Sequence, residues 1–285
     1  MNVHELLLDP NKHRPCRSPE FPLAPTADEW MEVDVLVERA ARFHMRVVQD
    51  IASWGTVKVG IEQVVRGTPY YAPESIRQLL AELPMPATYH EFELSKFSGD
   101  SICGFAAGAV ARRVGERLEQ MTVGSLELQA SEFCSGKIYG LMNHPARIIR
   151  SLSIPEEARG WRGLVLLRDI AWAANQLERC GFRGPRMLYY GHMWDRYLDC
   201  DYDQCTLRAK VKDSLGLLDI RMTDWIDGYD MLLVEASQNT ARMIEVVRPV
   251  AMMPSPERFL VAALMVPHIQ ADGDGRCGIV HLRAE

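Results

Sequence analysis

Residues 83–125 read LPMPATYHEFELSKFSGDSICGFAAGAVARRVGERLEQMTVGS, and two periods meet inside them. The first half alternates. Glu91 and Glu93 fall on one face and Phe92 and Leu94 on the other, the period-2 pattern of a half-exposed strand. The second half repeats at helical spacing. Ile102, Phe105, Ala106, Ala109, Val110, Val114, Leu118 and Met121 form one stripe. The stripe predicts an amphipathic helix of about 20 residues, roughly 30 Å long. Asp100 is placed to cap it and Gly124 to stop it. A strand delivered into a long helix across a Gly-Asp joint organises the rest of the chain around it.

Upstream, residues 1–26 are rich in Pro, Asp, Arg and His, with few periodic apolar positions. They read as an extended arm that does not pack on itself. TADEWMEVDVLVERAARFHMRVVQDIASW then predicts one helix from Thr26, an N-cap followed by acids, to Gly55, with Trp30, Val33, Val37, Ala40, Val47, Val48 and Ile51 inward. TVKVGIEQVVRG alternates and is β-branched, so it reads as a strand paired with YHEFEL in a long hairpin. Between the two lies TPYYAPESIRQLLAELPMP. It is bounded by prolines, with one short helix expected at Ser75–Leu83 and large apolar groups that its own chain is too short to cover.

Downstream, Trp161, Leu164, Leu167, Ala171, Ala174 and Leu177 mark a helix, and PRMLYYG a strand after the Gly184-Pro185 turn. TLRAKVKDS reads as a turn or two of helix. LLDIRMTDWI and DMLLVEAS read as strands, as do ARMIEVVRPVAM, ERFLVAALMVPHI and CGIVHL. No internal repeat or low-complexity segment interrupts this order.

The bulk numbers bound the function. At 285 residues, 47% hydrophobic and 25% charged, the chain has ordinary globular composition with room for one large or two modest domains. A net charge of -6 disfavours sequence-specific nucleic-acid binding. The longest apolar run, FLVAALMVP, is far short of a membrane span, and the N-terminus lacks the apolar core of a signal peptide. Seven scattered cysteines fit free thiols in a reducing compartment better than a disulfide framework.

Motifs that could carry chemistry read better as structure. GDGRCG matches a dinucleotide fingerprint by spacing, but a strand follows where a helix is required, so it is a turn. Cys200 and Cys205 near His192 and Cys180 lack a second tight pair, which disfavours zinc. DCDYD opens like a calcium loop, but Gln204 and Lys210 stand where Gly and Glu are needed. YHEFE has Leu94 where a zinc protease needs its second His. We therefore expect no catalytic, cofactor-binding or metal-binding residues and no enzyme activity.

The order of elements, with four passages, carries a resemblance. The quoted segment resembles the place where an extended loop returns and feeds the spine helix in major capsid proteins of tailed phages, the Hong Kong 97-like fold shared with encapsulin shells. GKIYGLMNHPARI resembles their passage into the apical domain, CGFRGPRMLYYG their Gly-Pro turn into a central strand, and DGDGRCGIVHL their closing strand. The resemblance covers roughly residues 56–285. It implies an α+β chain with an N-terminal arm and helix at 1–55 and an extended loop at 56–98. A peripheral domain would take 99–140 and 237–270, and an axial domain 141–236 and 271–285.

It further implies a structural subunit assembling as hexamers and pentamers into an icosahedral head that encloses phage DNA, in contact with that DNA without sequence preference. Separate scaffold, portal and decoration proteins are the other expected partners, with no membrane. The place would be the virion capsid, built in the host bacterial cytoplasm. The alternative is an encapsulin-like shell around a cargo enzyme. The subunit interface is expected to include Trp30, Arg66, Tyr70, Tyr71, Leu79, Leu80, Glu91, Glu93 and Lys96.

Overall fold

The structure is a computed structural model that describes residues 2–65, 85–94, 105–124, 138–153, 163–202 and 204–284. In chain order the helices are α1 (Val3–Leu8), α2 (Ala27–Phe43), α3 (Arg46–Trp54), α4 (Ile61–Val65), α5 (Phe105–Val123), α6 (Leu164–Arg179), α7 (Asp195–Leu198) and α8 (Leu207–Leu215). The strands are β1 (Thr56–Lys58), β2 (Thr88–Glu93), β3 (Ile148–Leu152), β4 (Arg186–Tyr190), β5 (Asp201–Tyr202), β6 (Cys205–Thr206), β7 (Leu217–Met222), β8 (Met231–Glu235), β9 (Ala241–Ser255), β10 (Arg258–Ile269) and β11 (Ile279–Ala284). Two compact units result. Unit 1 comprises Met1–Thr122, Leu126–Ile138 and Met243–Pro267, and unit 2 comprises Val123–Ser125, Tyr139–Arg242 and His268–Glu285.

Unit 1 is built on a four-stranded sheet in the order β1-β9-β10-β2. β10 is apolar and buried from Phe259 to Pro267, so it reads as a strand covered on both faces. β1 runs parallel to β9, with Thr56 opposite Met243, and β2 runs antiparallel to β10, with Glu91 opposite Leu260. The expected hairpin of 56–67 with 89–94 is thus corrected: its two arms lie on opposite edges of one sheet. The first arm is also shorter than expected. After Lys58 the chain turns at Gly60, whose N–H donates to Gln63 Oε1 at 3.0 Å, and becomes helix α4.

The helices of unit 1 follow the sequence with one break. Thr26 caps α2 in a reciprocal box: Glu29 N–H donates to Thr26 Oγ1 and Thr26 N–H to Glu29 Oε2. The single helix expected over 26–54 is two, parted at His44 and Met45. Glu119 of α5 explains the break. Its carboxylate accepts Val47 N–H at 2.8 Å and Val48 N–H at 3.0 Å, satisfying the donors that a restarted helix leaves open. α5 spans 19 residues and ends at Gly124, with φ at +98°, where a left-handed residue stops the helix. Ala106, Val110, Val114, Leu118 and Met121 are buried as expected, whereas Ala109 is exposed. Ile102 and Asp100 lie outside the described residues.

The extended arm is also corrected. Val3–Leu8 is helical, and Val3, Leu6 and Leu7 are buried. His4 Nε2 is 3.0 Å from the Met85 carbonyl oxygen. Arg14 donates to the Ala251 carbonyl and, through both terminal nitrogens, to Asp34. VHELLL has only three anchoring apolar side chains, too few to announce a helix before the surface that covers them is known.

Unit 2 is built on a five-stranded mixed sheet in the order β3-β11-β8-β4-β7. β11 and β4 each run antiparallel to β8 and parallel to their outer neighbours β3 and β7. All five residues of β8 are buried. α6 and α8 supply Leu166, Ile170, Leu177 and Val211 to a core shared with Leu233 and Val280. A two-stranded ribbon, β5 with β6, turns at Gln204 with φ at +71°.

Candidate assembly surface

The glycine-marked corners of unit 2 hold internal joints. At Gly184-Pro185 the turn closes on a carboxylate from β8: Glu235 Oε1 accepts Gly184 N–H at 2.7 Å. Glu235 Oε2 accepts hydroxyl donors from Ser237 at 3.0 Å and Thr240 at 2.7 Å. With three donors on a buried side chain, the carboxylate is committed to structure. Asp272, just before GDGRCG, accepts through Oδ1 the N–H groups of Asp274 and Arg276, and Gly275 has φ at +73°. A strand follows, as the turn reading requires.

The other motifs resolve in the same way. Asp201 and Tyr202 are strand residues of the ribbon, and Asp203 lies outside the described residues. YHEFE falls within strand β2. Cys200 Sγ donates to the Arg196 carbonyl, and burial pushes the Cys277 thiol up to about 12. Among the described residues no group of three or more His, Cys, Asp or Glu could hold a metal ion.

The expected interface residues divide sharply. Arg66, Tyr70, Tyr71, Leu79, Leu80 and Lys96 lie outside the described residues. Trp30, expected at the subunit interface, is instead packed inside its own subunit. It is buried, its ring stacks on Phe259 with centroids 6.5 Å apart, and its Nε1 donates to the Pro15 carbonyl at 3.0 Å. Its place in the buried stripe of α2, with Val33 and Val37, is the signal that decides this. Glu91 and Glu93 do face outward, on the edge strand β2, where Glu91 lies 3.8 Å from Arg258.

Exposed large apolar side chains were not anticipated at the positions where they occur. Tyr89 is 46% exposed on β2, Ile149 53% on β3 and Leu218 51% on β7. Among the described residues all three strands lie at sheet edges. Met31, Val35 and Phe43 form a second exposed group, on the outer side of α2.

Inside unit 1, away from these exposed groups, lies one strongly perturbed acid. Burial holds the Glu119 carboxyl up at about 7, against the lowering effect of the Val47 and Val48 N–H groups.

No protein-family model and no curated protein matches the chain. Solved structures do. A virus-like particle from Pyrococcus furiosus matches 90% of this chain and 100% of its own, with a TM-score of 0.57 at 11% identity. The capsid of Myoviridae phage XM1 matches 70% of this chain and 73% of its own, with a TM-score of 0.50 at 9% identity. At these identities, what is shared is the fold.

Proposed function

We propose, from the Hong Kong 97-like fold that this chain shares with those shell proteins, that it is a major capsid subunit. Copies of it close into an icosahedral head around phage DNA. The observation that carries the reading is the likeness to a virus-like particle over 90% of the chain, with the whole of that particle's subunit covered. The exposed edge strands support it, because Tyr89, Ile149 and Leu218 are apolar groups that a neighbouring copy would cover. In this reading the subunit acts by packing and carries out no catalysis.

The finer parts of the reading are these. Unit 1 is the peripheral domain with α5 as its spine, and unit 2 is the axial domain. Rings of six and five copies form through heterologous contacts, which close by rotation. Scaffold and portal proteins are separate chains, and the shell is built in the host cytoplasm. Among the described residues no helix is long and apolar enough to cross a membrane. The second reading, a nanocompartment around a protein cargo, uses the same subunit surfaces and differs in what the shell contains.

The test is direct. The purified chain, alone and with its genomic neighbours, is imaged by negative-stain electron microscopy and sized by light scattering. Hollow closed particles are expected. A monodisperse monomer under every salt and scaffold condition overturns the proposal. Nuclease-protected DNA inside particles from infected or induced cells marks a head, and a packaged enzyme marks a nanocompartment.

A further inference from the structure

The chain carries 32 basic against 38 acidic side chains, yet two short helical segments reverse that balance. Residues 39–46 read RAARFHMR, three arginines with no acid, and residues 112–117 read RRVGER, three arginines with one acid. They are about 70 residues apart in sequence, but the packing of α2 against α5 in unit 1 sets them side by side. Gly115 of α5 lies so close to α2 that a Cβ there would stand 2.9 Å from the Ala41 Cα. His44 Nδ1 is 4.0 Å from Glu116 Oε1, which also accepts from Arg112 at 2.7 Å.

The result is one basic face in a net acidic chain. The side chains of Arg42, Arg112 and Arg113 are 66%, 61% and 68% exposed, and Arg39, Arg46 and Arg117 are exposed as well. The acids near it are Glu116, which pairs with both Arg112 and Arg113, Glu38, which lies 3.9 Å from Arg42, Asp50 on α3, and the buried Glu119, on which Arg46 acts. Arginines at the end of α2 would serve its dipole, but one or two suffice for that. Phe43 sits among them, 67% exposed, with the Arg46 guanidinium 5.8 Å from its ring centre. Guanidinium groups flanking an exposed ring are the chemistry that holds a phosphodiester backbone and stacks its bases.

We infer that the α2–α5 face of unit 1 binds nucleic acid through its phosphate backbone, without reading sequence. The inference rests on the shell reading for its biological meaning, since it names the surface of the subunit that meets the packaged DNA. The binding itself is a property of the face and can be measured apart from assembly. It also reconciles two facts: a net charge of -6 keeps the container from gripping its contents overall, while one basic face provides a local, salt-sensitive contact.

The experiment is fluorescence anisotropy of two labelled 30-nucleotide DNA strands of unrelated sequence, titrated with the full chain across a salt series. Binding is expected to be alike for both strands and to weaken steeply with salt. In Arg39→Gln/Arg42→Gln/Arg46→Gln the log–log salt slope should become shallower by about 2, as three lost phosphate contacts predict. Arg112→Gln/Arg113→Gln/Arg117→Gln should do the same from the facing helix. A control triple off the face, Arg168→Gln/Arg179→Gln/Arg258→Gln, all exposed, should leave the slope unchanged. Circular dichroism melts identify any variant that fails to fold, and the other triple then decides. No binding by the parent chain, or an equal loss in the control, overturns the inference. So does a face variant that loses DNA binding and shell formation together, for then the face is a contact between copies. If the parent forms no shells but binds DNA through these arginines, the shell reading fails and the inference stands.

Discussion

The two sheets differ in how far the chain travels to make them. In unit 2, four of five strands come from one stretch between Ile148 and Glu235, and only β11 arrives from further on. In unit 1, β1 and β2 come from the first hundred residues and β9 and β10 from beyond residue 240. A sheet drawn from one stretch needs few long loop closures, whereas one drawn from both halves of the chain must fix distant segments at once. Unit 1 therefore relies on long-range clasps: α1 under its own buried leucines, Arg14 on Asp34 and Ala251, and Glu119 on the start of α3. Loosening any of these clasps tests the comparison.

The largest effect is expected from removing the N-terminal segment. Deleting residues 2–15 exposes the surface that Val3, Leu6 and Leu7 cover and releases Asp34 and the Trp30 indole from their partners. Three buried side chains at about 1.5–3 kcal/mol each give a loss of about 5 kcal/mol or more. Urea unfolding followed by hydrogen exchange should show the loss in α2, β9 and β10. A deletion variant as stable as the parent would return the segment to the status of an extended arm and erase the contrast between the units.

Next come the two glycines at backbone-to-backbone approaches, one per unit. A Cβ on Gly115 would meet the Ala41 carbonyl oxygen, and one on Gly191 would stand 2.5 Å from the Gly228 oxygen and 2.6 Å from that of Ile226. Neither neighbour is a side chain that can swing away. Gly115→Ala and Gly191→Ala should each cost about 3 kcal/mol. The first should raise exchange in α2 and α5, the second in β4 and β8. The same exchange pattern from both variants would break the division into two units. A cost under about 1 kcal/mol for either would show that the helices or strands separate easily there.

These features explain what the sequence does and does not disclose. β8 and β10 are legible because strands covered on both faces are apolar runs, as Met231–Val234 and Phe259–Val266 are. The capping box at Thr26 and the stop at Gly124 are legible because each is settled by local groups. The break at His44 is not, because the group that stabilises it, Glu119, lies 72 residues from Val47 in sequence. The pairing of β1 and β2 is not, because alternation says that a segment is a strand and nothing about which strand it adjoins. At the candidate surface, Glu91 and Glu93 could be placed outward by alternation alone. The basic face could not be foreseen, since its two segments are far apart in sequence and come together through the packing of Gly115 against Ala41.

The smallest effect, and the most specific to unit 1, is a pH dependence carried by Glu119. Burial holds its carboxyl at about 7 in the folded chain, against 4.5 in an unfolded one, with Asp50 pushing the same way and Arg46 opposing. Between these values the folded state holds a proton that the unfolded state has released. Stability therefore falls as pH rises from about 4.5 to about 7 and is flat, as far as this group is concerned, on either side. The full span is on the order of 3 kcal/mol at most. Glu119→Gln removes the titrating group while keeping an oxygen that accepts one of the two N–H donors. The difference in unfolding free energy between parent and variant should then shift against the parent across that window, read from urea midpoints at several pH values. A constant difference from pH 4 to 8 would mean that the carboxyl titrates alike in the folded and unfolded chain and that the two N–H bonds offset its burial. The joint between α2 and α3 would then be a fixed clasp with no response to acid, as rigid as the carboxylate that unit 2 buries behind Gly184.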